Sequence, residues 1–208
     1  MSCSSLWVMD KEYNGSVEAE FQNSWYFSPI VWDILLDKYM HDEIQTPYGY
    51  KKSFMSDNSL FPKLNEIINN CNCMPDRICW EMSNQQVFFT KNKEVICNSI
   101  KDFIKINSNY DKDKEDNISP LEREHIIERF NEIADEILQL NENESPYFIF
   151  KNTSCDDNVE YWFSKYDENE REYNSISLKE QSKRVTEFVI INGDDNINFI
   201  SNLDYKYS

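Results

Sequence analysis

Four cysteines give the chain its first candidate chemistry. Of the six present, Cys71, Cys73, Cys79 and Cys97 lie close enough along the chain to offer thiolates to one zinc ion. Zinc takes such ligands tetrahedrally, usually as pairs spaced C-x2–4-C. Cys71-x-Cys73 is tighter than that, and Cys97 falls inside a helical pattern beside its apolar face. The first expectation is therefore small core residues, with zinc as the competing reading. A C-x-x-C redox pair is absent from the sequence. The histidines His41 and His125 could each serve as a base, but neither stands in a recognisable nucleophilic set. His125 sits beside an apolar stripe, where partial burial is expected. Cys155-Asp156-Asp157 lacks the glycines of a nucleophile elbow. Asp111-x-Asp113-x-Glu115-Asp116 alternates acids as a calcium loop does, without the glycine that loop needs at its sixth position. With three glycines in the whole chain, no phosphate-cradling loop can be written. These residues predict a protein that is not an enzyme and holds no cofactor.

Carboxylates are the other resource. Glu124, Glu128, Glu132 and Glu136 recur every fourth residue, with Asp135 beside them. On a helix this stacks like charges on one face, which destabilises it by a few tenths of a kcal/mol per pair. Selection for helix stability alone would have alternated Glu with Lys. The row reads either as a solvated helix face or as a surface for a positively charged partner.

The element that positions the row is a helix over about 119–140. Ser119, Pro120 and Glu122 form a capping box with proline at the first helical position. Ile126, Ile127, Phe130, Ile133, Ala134, Ile137 and Leu138 supply its apolar stripe. Elsewhere, Ser5–Met9 reads as a strand, and Ser28-Pro29 opens a helix from Ile30 to about Met40. Trp25, Tyr26, Phe27 and Trp32 are expected in the core. A short helix is predicted near Leu60–Asn70, then strands at Arg77–Met82 and Gln86–Thr90, then a helix from Lys91 to Ile106 capped by Thr90. Pro146–Lys151 and Val159–Ser164 read as a hairpin with a long loop, and Ser177 to Glu180 as a second capping box. Val185–Ile191 and Asn196–Ile200 are strands joined at Asn192-Gly193. The fold class is α+β, a mostly antiparallel sheet with several packed helices. A single domain over 1–208 is expected, with a flexible loop or sub-domain boundary at 107–118.

Composition bounds the function. Aromatic content of 14% and hydrophobic content of 40% belong to a folded protein. The net charge is -17, and residues 107–175 carry 19 acids against 7 bases. Such a field repels nucleic acid and anionic membrane and attracts basic proteins. The N-terminal MSCSSLWVMDKE has no basic region before its short apolar run, and no segment reaches the ~18 apolar residues of a membrane span. A cytoplasmic location with free thiols is expected. The function expected is an acidic inhibitor or interaction protein that binds a basic protein partner through Glu124, Glu128, Glu132, Asp135 and Glu136. In its most specific form this is an immunity protein neutralising a nuclease-type toxin. The alternatives are a phage-encoded nucleic-acid mimic that disarms a defence enzyme, and a small metal- or Cys-dependent enzyme or zinc-stabilised module.

Overall fold

The computed structural model describes residues 3–11, 15–54, 56–108, 119–153, 164–175, 187–192 and 196–201. Strands β1 (Cys3–Met9) and β2 (Gly15–Gln22) precede helices α1 (Ser28–Ile44), α2 (Leu60–Asn70) and α3 (Met74–Ser83). Strand β3 (Val87–Phe89) leads to α4 (Lys93–Asn107), and α5 (Glu124–Gln139) leads to β4 (Tyr147–Thr153). Four strands follow: β5 (Ser164–Asp167), β6 (Glu172–Ser175), β7 (Glu187–Asn192) and β8 (Asn196–Ser201). The fold is α+β. Its main sheet has the order β2-β1-β4-β3-β7-β8, and β5 and β6 form a separate pair. All pairings are antiparallel except β3 with β7. The sheet joins segments from both sides of the 107–118 stretch, whose residues 109–118 lie outside the described residues.

Alternation along the strands explains the layering. Leu6, Val8, Phe88, Phe148 and Phe150 point to one face and join the helices in a single core with Val31, Leu35, Ile100, Phe103, Phe130 and Ile133. Trp7, Met9, Val87 and Ile149 point the other way and are also buried, which is why β1 reads as an unbroken apolar run. The Trp7 indole crosses Gly15, where a β-carbon would fall within the ring.

Several expectations change. Arg77–Met82 is not a strand but the body of α3. Almost every residue from Asp76 to Ser83 is buried, so this helix has no polar face to give it a period. The capping box opens only a 3-10 turn over Pro120–Glu122, with the Ser119 hydroxyl accepting from the Leu121 N–H; α5 starts at Glu124 after extended Arg123. Ser28 is buried inside α1 and does not cap it; the helix kinks at Met40, the end expected from the sequence, where φ is −133° and ψ 26°, and a further helical segment runs to Ile44. Thr90 caps nothing. Its hydroxyl donates to the Ser145 carbonyl, tying the β3–α4 junction to the chain entering β4. β4 pairs with β1 along its whole length and with β3 over Tyr147–Ile149, and Ser164 belongs to β5, so the expected hairpin with 159–164 rests on residues that are not described. Residues 159–163 and the box at 177–180 lie outside the described residues. Trp25 is 61% exposed, while Phe27 alone of its aromatic group is fully buried.

α3 ends with the Gln86 N–H donating to the Glu81 carbonyl and the Gln85 N–H to the Met82 carbonyl. That pattern wants a left-handed residue, usually glycine, between helix and exit. Gln85 takes the position with φ 59°, at a penalty of about 1 kcal/mol for a residue with a β-carbon.

The helices are joined by one buried carboxylate. Asp76 is fully buried and accepts from Lys38 Nζ at 2.6 Å, Tyr39 Oη at 2.6 Å and Asn107 Nδ2 at 3.0 Å. Those donors come from α1 and α4. Burial and the hydrogen bond to Asp76 push the Tyr39 phenol far up, so it stays protonated and keeps donating. Asp76→Ala removes the acceptor shared by Tyr39, Asn107 and Lys38, leaving the partly exposed Lys38 ammonium with the Asn107 side-chain oxygen at 2.9 Å. Breaking a buried pair from one side costs about 3 kcal/mol. Urea denaturation of the two proteins should show that loss; a change under about 1 kcal/mol would mean that the network contributes little net stability.

Candidate functional site: the acidic face of α5

α5 lies on α4 through Ile126, Phe130, Ile133, Ala134 and Ile137. Each large apolar side chain so buried contributes roughly 1.5–3 kcal/mol, enough to outweigh the repulsion along the row. Its other side faces outward. Glu124, Glu128, Glu132 and Asp135 are exposed and Glu136 is half-buried.

The row is not uniform, however. Arg129 Nε donates to Glu132 at 2.9 Å, and Lys101 of α4 reaches Asp135 at 2.8 Å. Hydrogen bonding to Asp135 pushes Lys101's pKa up. Both pairs are exposed and worth little in stability, but each cancels a charge that the sequence left open. Glu124, Glu128 and Glu136 form no ion pair among the described residues. Of the five acids expected to form the surface, Glu132 and Asp135 are answered from within the chain and these three are not.

Arg129 also spans to the sheet. Its guanidinium lies 5.5 Å from the Phe21 ring and 5.7 Å from the Tyr26 ring, and Nη1 donates to the Gln22 carbonyl at 2.5 Å. His125 is exposed rather than partly buried, with its ring 5.0 Å from Tyr26. Helical periodicity placed it near the apolar stripe; the α5 start at Glu124 puts it in the first turn, at the stripe's open end.

The cysteines do not assemble. Among the described residues, no group of three or more His, Cys, Asp or Glu side chains is placed to hold a metal. Cys97 is turned toward α5, where its thiol donates to the Ala134 carbonyl at 2.8 Å. Burial raises its pKa to about 11. Burial, aided by the Asp76 charge, likewise raises Cys79 well above the ordinary thiol range, and Cys73 is raised for the same leading reason. Zinc needs thiolates, and these surroundings favour thiols.

Two recesses of about 340 Å³ open among the described residues. One is lined by Asp33, Asp37, Lys51, Lys52, Asn107 and Ser119. Desolvation raises the pKa of Asp33 there, against the pull of Lys51. Its charges largely answer one another: Lys51 pairs with Asp37 at 2.5 Å and Lys52 with Asp57 at 3.2 Å. The other recess lies at the end of α3, among Trp32, Phe61, Asn65, Glu81 and the run Asn84-Gln85-Gln86. Sequence reasoning passed over that run because Arg77–Met82 read as a strand. Three carboxamides in succession at the end of a buried helix were the available signal.

Comparison with known protein families, curated proteins and solved structures finds no match for this chain. What the fold and the site define is a class, an α+β protein with an outward acidic helix face. No helix among the described residues is long and apolar enough to cross a membrane.

Cys97 should behave as a buried, protonated thiol. In native protein near neutral pH its alkylation should be much slower than that of Cys71 or Cys73, which are partly exposed, and chelator should leave the melting temperature unchanged. Rapid labelling of Cys97, or a chelator-dependent fall in melting temperature, would refute this assignment.

Proposed function

We propose that this protein is a non-catalytic binding protein that engages a basic protein partner through the exposed face of α5, in the manner of an immunity protein covering the cationic surface of a nuclease-type toxin. One observation carries the reading. Glu124 and Glu128 are exposed, four residues apart on a helix, and without an ion pair among the described residues. A helix held by buried Ile126, Phe130, Ile133, Ala134 and Ile137 is a rigid platform, though Leu138 at the end of the expected stripe is 42% exposed. Its carboxylates are therefore presented at little further entropic penalty. The charge of -17 extends the attraction beyond the contact itself and would speed encounter at low salt. Arg129 and Lys101 limit the contact patch at the end nearer Glu132 and Asp135.

The test pairs purified full-length protein with the cationic nuclease domains encoded beside its gene, with affinity measured across a salt series. The reading expects nuclease activity to be blocked and affinity to fall with salt. Reversing both Glu124→Lys and Glu128→Lys should weaken binding by more than about tenfold while the melting temperature is kept. Tight binding that survives the double reversal would show that α5 is ordinary surface. Failure to bind or block any such nuclease would reject the toxin-immunity form of the reading.

A further inference from the structure

We infer that the recess at the C-terminal end of α3 is a saccharide-binding pocket that accommodates one neutral hexopyranose ring, either free or at the end of a glycan. This does not depend on the acidic face of α5. The pocket's polar groups are fixed in advance by two indoles. Trp80 Nε1 donates to Asn65 Oδ1 at 2.9 Å, and Trp32 Nε1 donates to Asn84 Oδ1 at 3.2 Å. Each bond sets which end of its carboxamide is taken, and the Asn84 amide nitrogen is left over. That nitrogen and the side-chain oxygens of Gln85 and Gln86 are buried without a hydrogen-bond partner among the described residues. One donor and two acceptors thus surround a single recess whose wall also includes the Glu81 side chain, 3% exposed. Buried polar atoms without partners are uncommon and call for a ligand or solvent to satisfy them.

The mixture of donor and acceptor chooses the ligand. A guanidinium or ammonium group offers donors only and would leave the Asn84 amide facing another donor. A phosphorylated ligand is opposed by the -17 field and by the adjacent Glu81. Sugar hydroxyls donate and accept at once, which suits all three amide positions. The apolar face of a pyranose also needs an aromatic wall. Phe61, 41% exposed, and half-buried Trp32 stand in the lining. Phe61 is backed by the Trp80 ring at 5.3 Å, and Phe54 bridges Phe61 at 5.7 Å and Trp32 at 6.4 Å.

Gln85 supplies the most informative detail. It occupies a left-handed backbone position that glycine would fill with less strain. The strained position carries a side chain whose buried, unpartnered oxygen belongs to the recess, which suits a role for Gln85 in binding. Stability and binding therefore separate in one substitution.

Saturation-transfer NMR on the full-length protein, with a panel of hexoses, N-acetylhexosamines and short oligosaccharides at millimolar concentration, tests this. Transfer to at least one sugar is expected. Gln85→Gly should keep or raise the melting temperature while weakening that sugar by about fivefold, the loss of one hydrogen bond. Phe61→Ala should weaken it by a similar factor or more. Oligosaccharide binding tighter than monosaccharide would identify a glycan end as the ligand, and equal binding the free sugar. No transfer to any sugar, displacement of the sugar by arginine, or transfer unaffected in both variants would overturn the assignment.

Discussion

The fold depends on a charge taken out of water. Asp76 has no exposure, yet three donors from two other helices converge on it. A carboxylate in that position is tolerated only because its hydrogen bonds are complete. It also stands in the first turn of α3, where the helix dipole favours a negative charge. The geometry is exacting. Lys38 and Tyr39 must arrive from adjacent positions on α1, and Asn107 must arrive at the last turn of α4 while donating back to the Phe103 carbonyl. Apolar packing alone would let these helices slide by a turn with modest penalty. A shared carboxylate admits one register, which is the best-attested use of a buried ion pair.

From α4 the order passes outward to α5. The link has an apolar part, Phe103 stacked on Phe130 at 6.0 Å, and polar parts toward the C-terminal end of α5. Lys93 donates to the Leu140 carbonyl at 2.6 Å, placing a cation at the C-terminal end of α5, and Cys97 donates to Ala134. These contacts fix how far α5 turns about its own axis. That rotation decides which acids face solvent and brings Asp135 within reach of Lys101 on α4. The pairing of Asp135 therefore comes from helix packing, whereas Glu132 is answered within α5 by Arg129, three residues before it.

Much of this was legible in the sequence, and the failures share a physical cause. α2, α4, α5 and the strands β1, β4, β7 and β8 carry a polar face, a cap or a β-branched and aromatic run, so residues 60–70, 93–107 and 124–139 stand out. α3 does not, because burial on all sides erased its period; only Pro75 at its start marked it as a helix. The four cysteines stand apart for a related reason. Spacing along the chain brought Cys97 near Cys71 and Cys73, but a helix offers one direction at each position, and at 97 that direction is toward α5. The acidic row was visible as a row. Its interruption by Lys101 was not, since no local pattern says that α4 lies alongside at that depth. The recess beside Asn84 needs tertiary contacts from α1, α2 and α3 together and could not be read from any one of them.

Arg129 has an effect away from the site. By holding the Gln22 carbonyl and covering Phe21, it closes the final turn of β2, which is an outer strand of the main sheet. Glu18 and Glu20 stand exposed along the same strand. An outer strand offers a row of unused backbone groups to any extended chain that drifts alongside, and fibril growth begins with such pairing. Here one end of that row is occupied and the middle is guarded by like charges, so two copies meeting edge to edge would repel. The same surplus of acid that could draw in a cationic partner would keep the protein from templating itself.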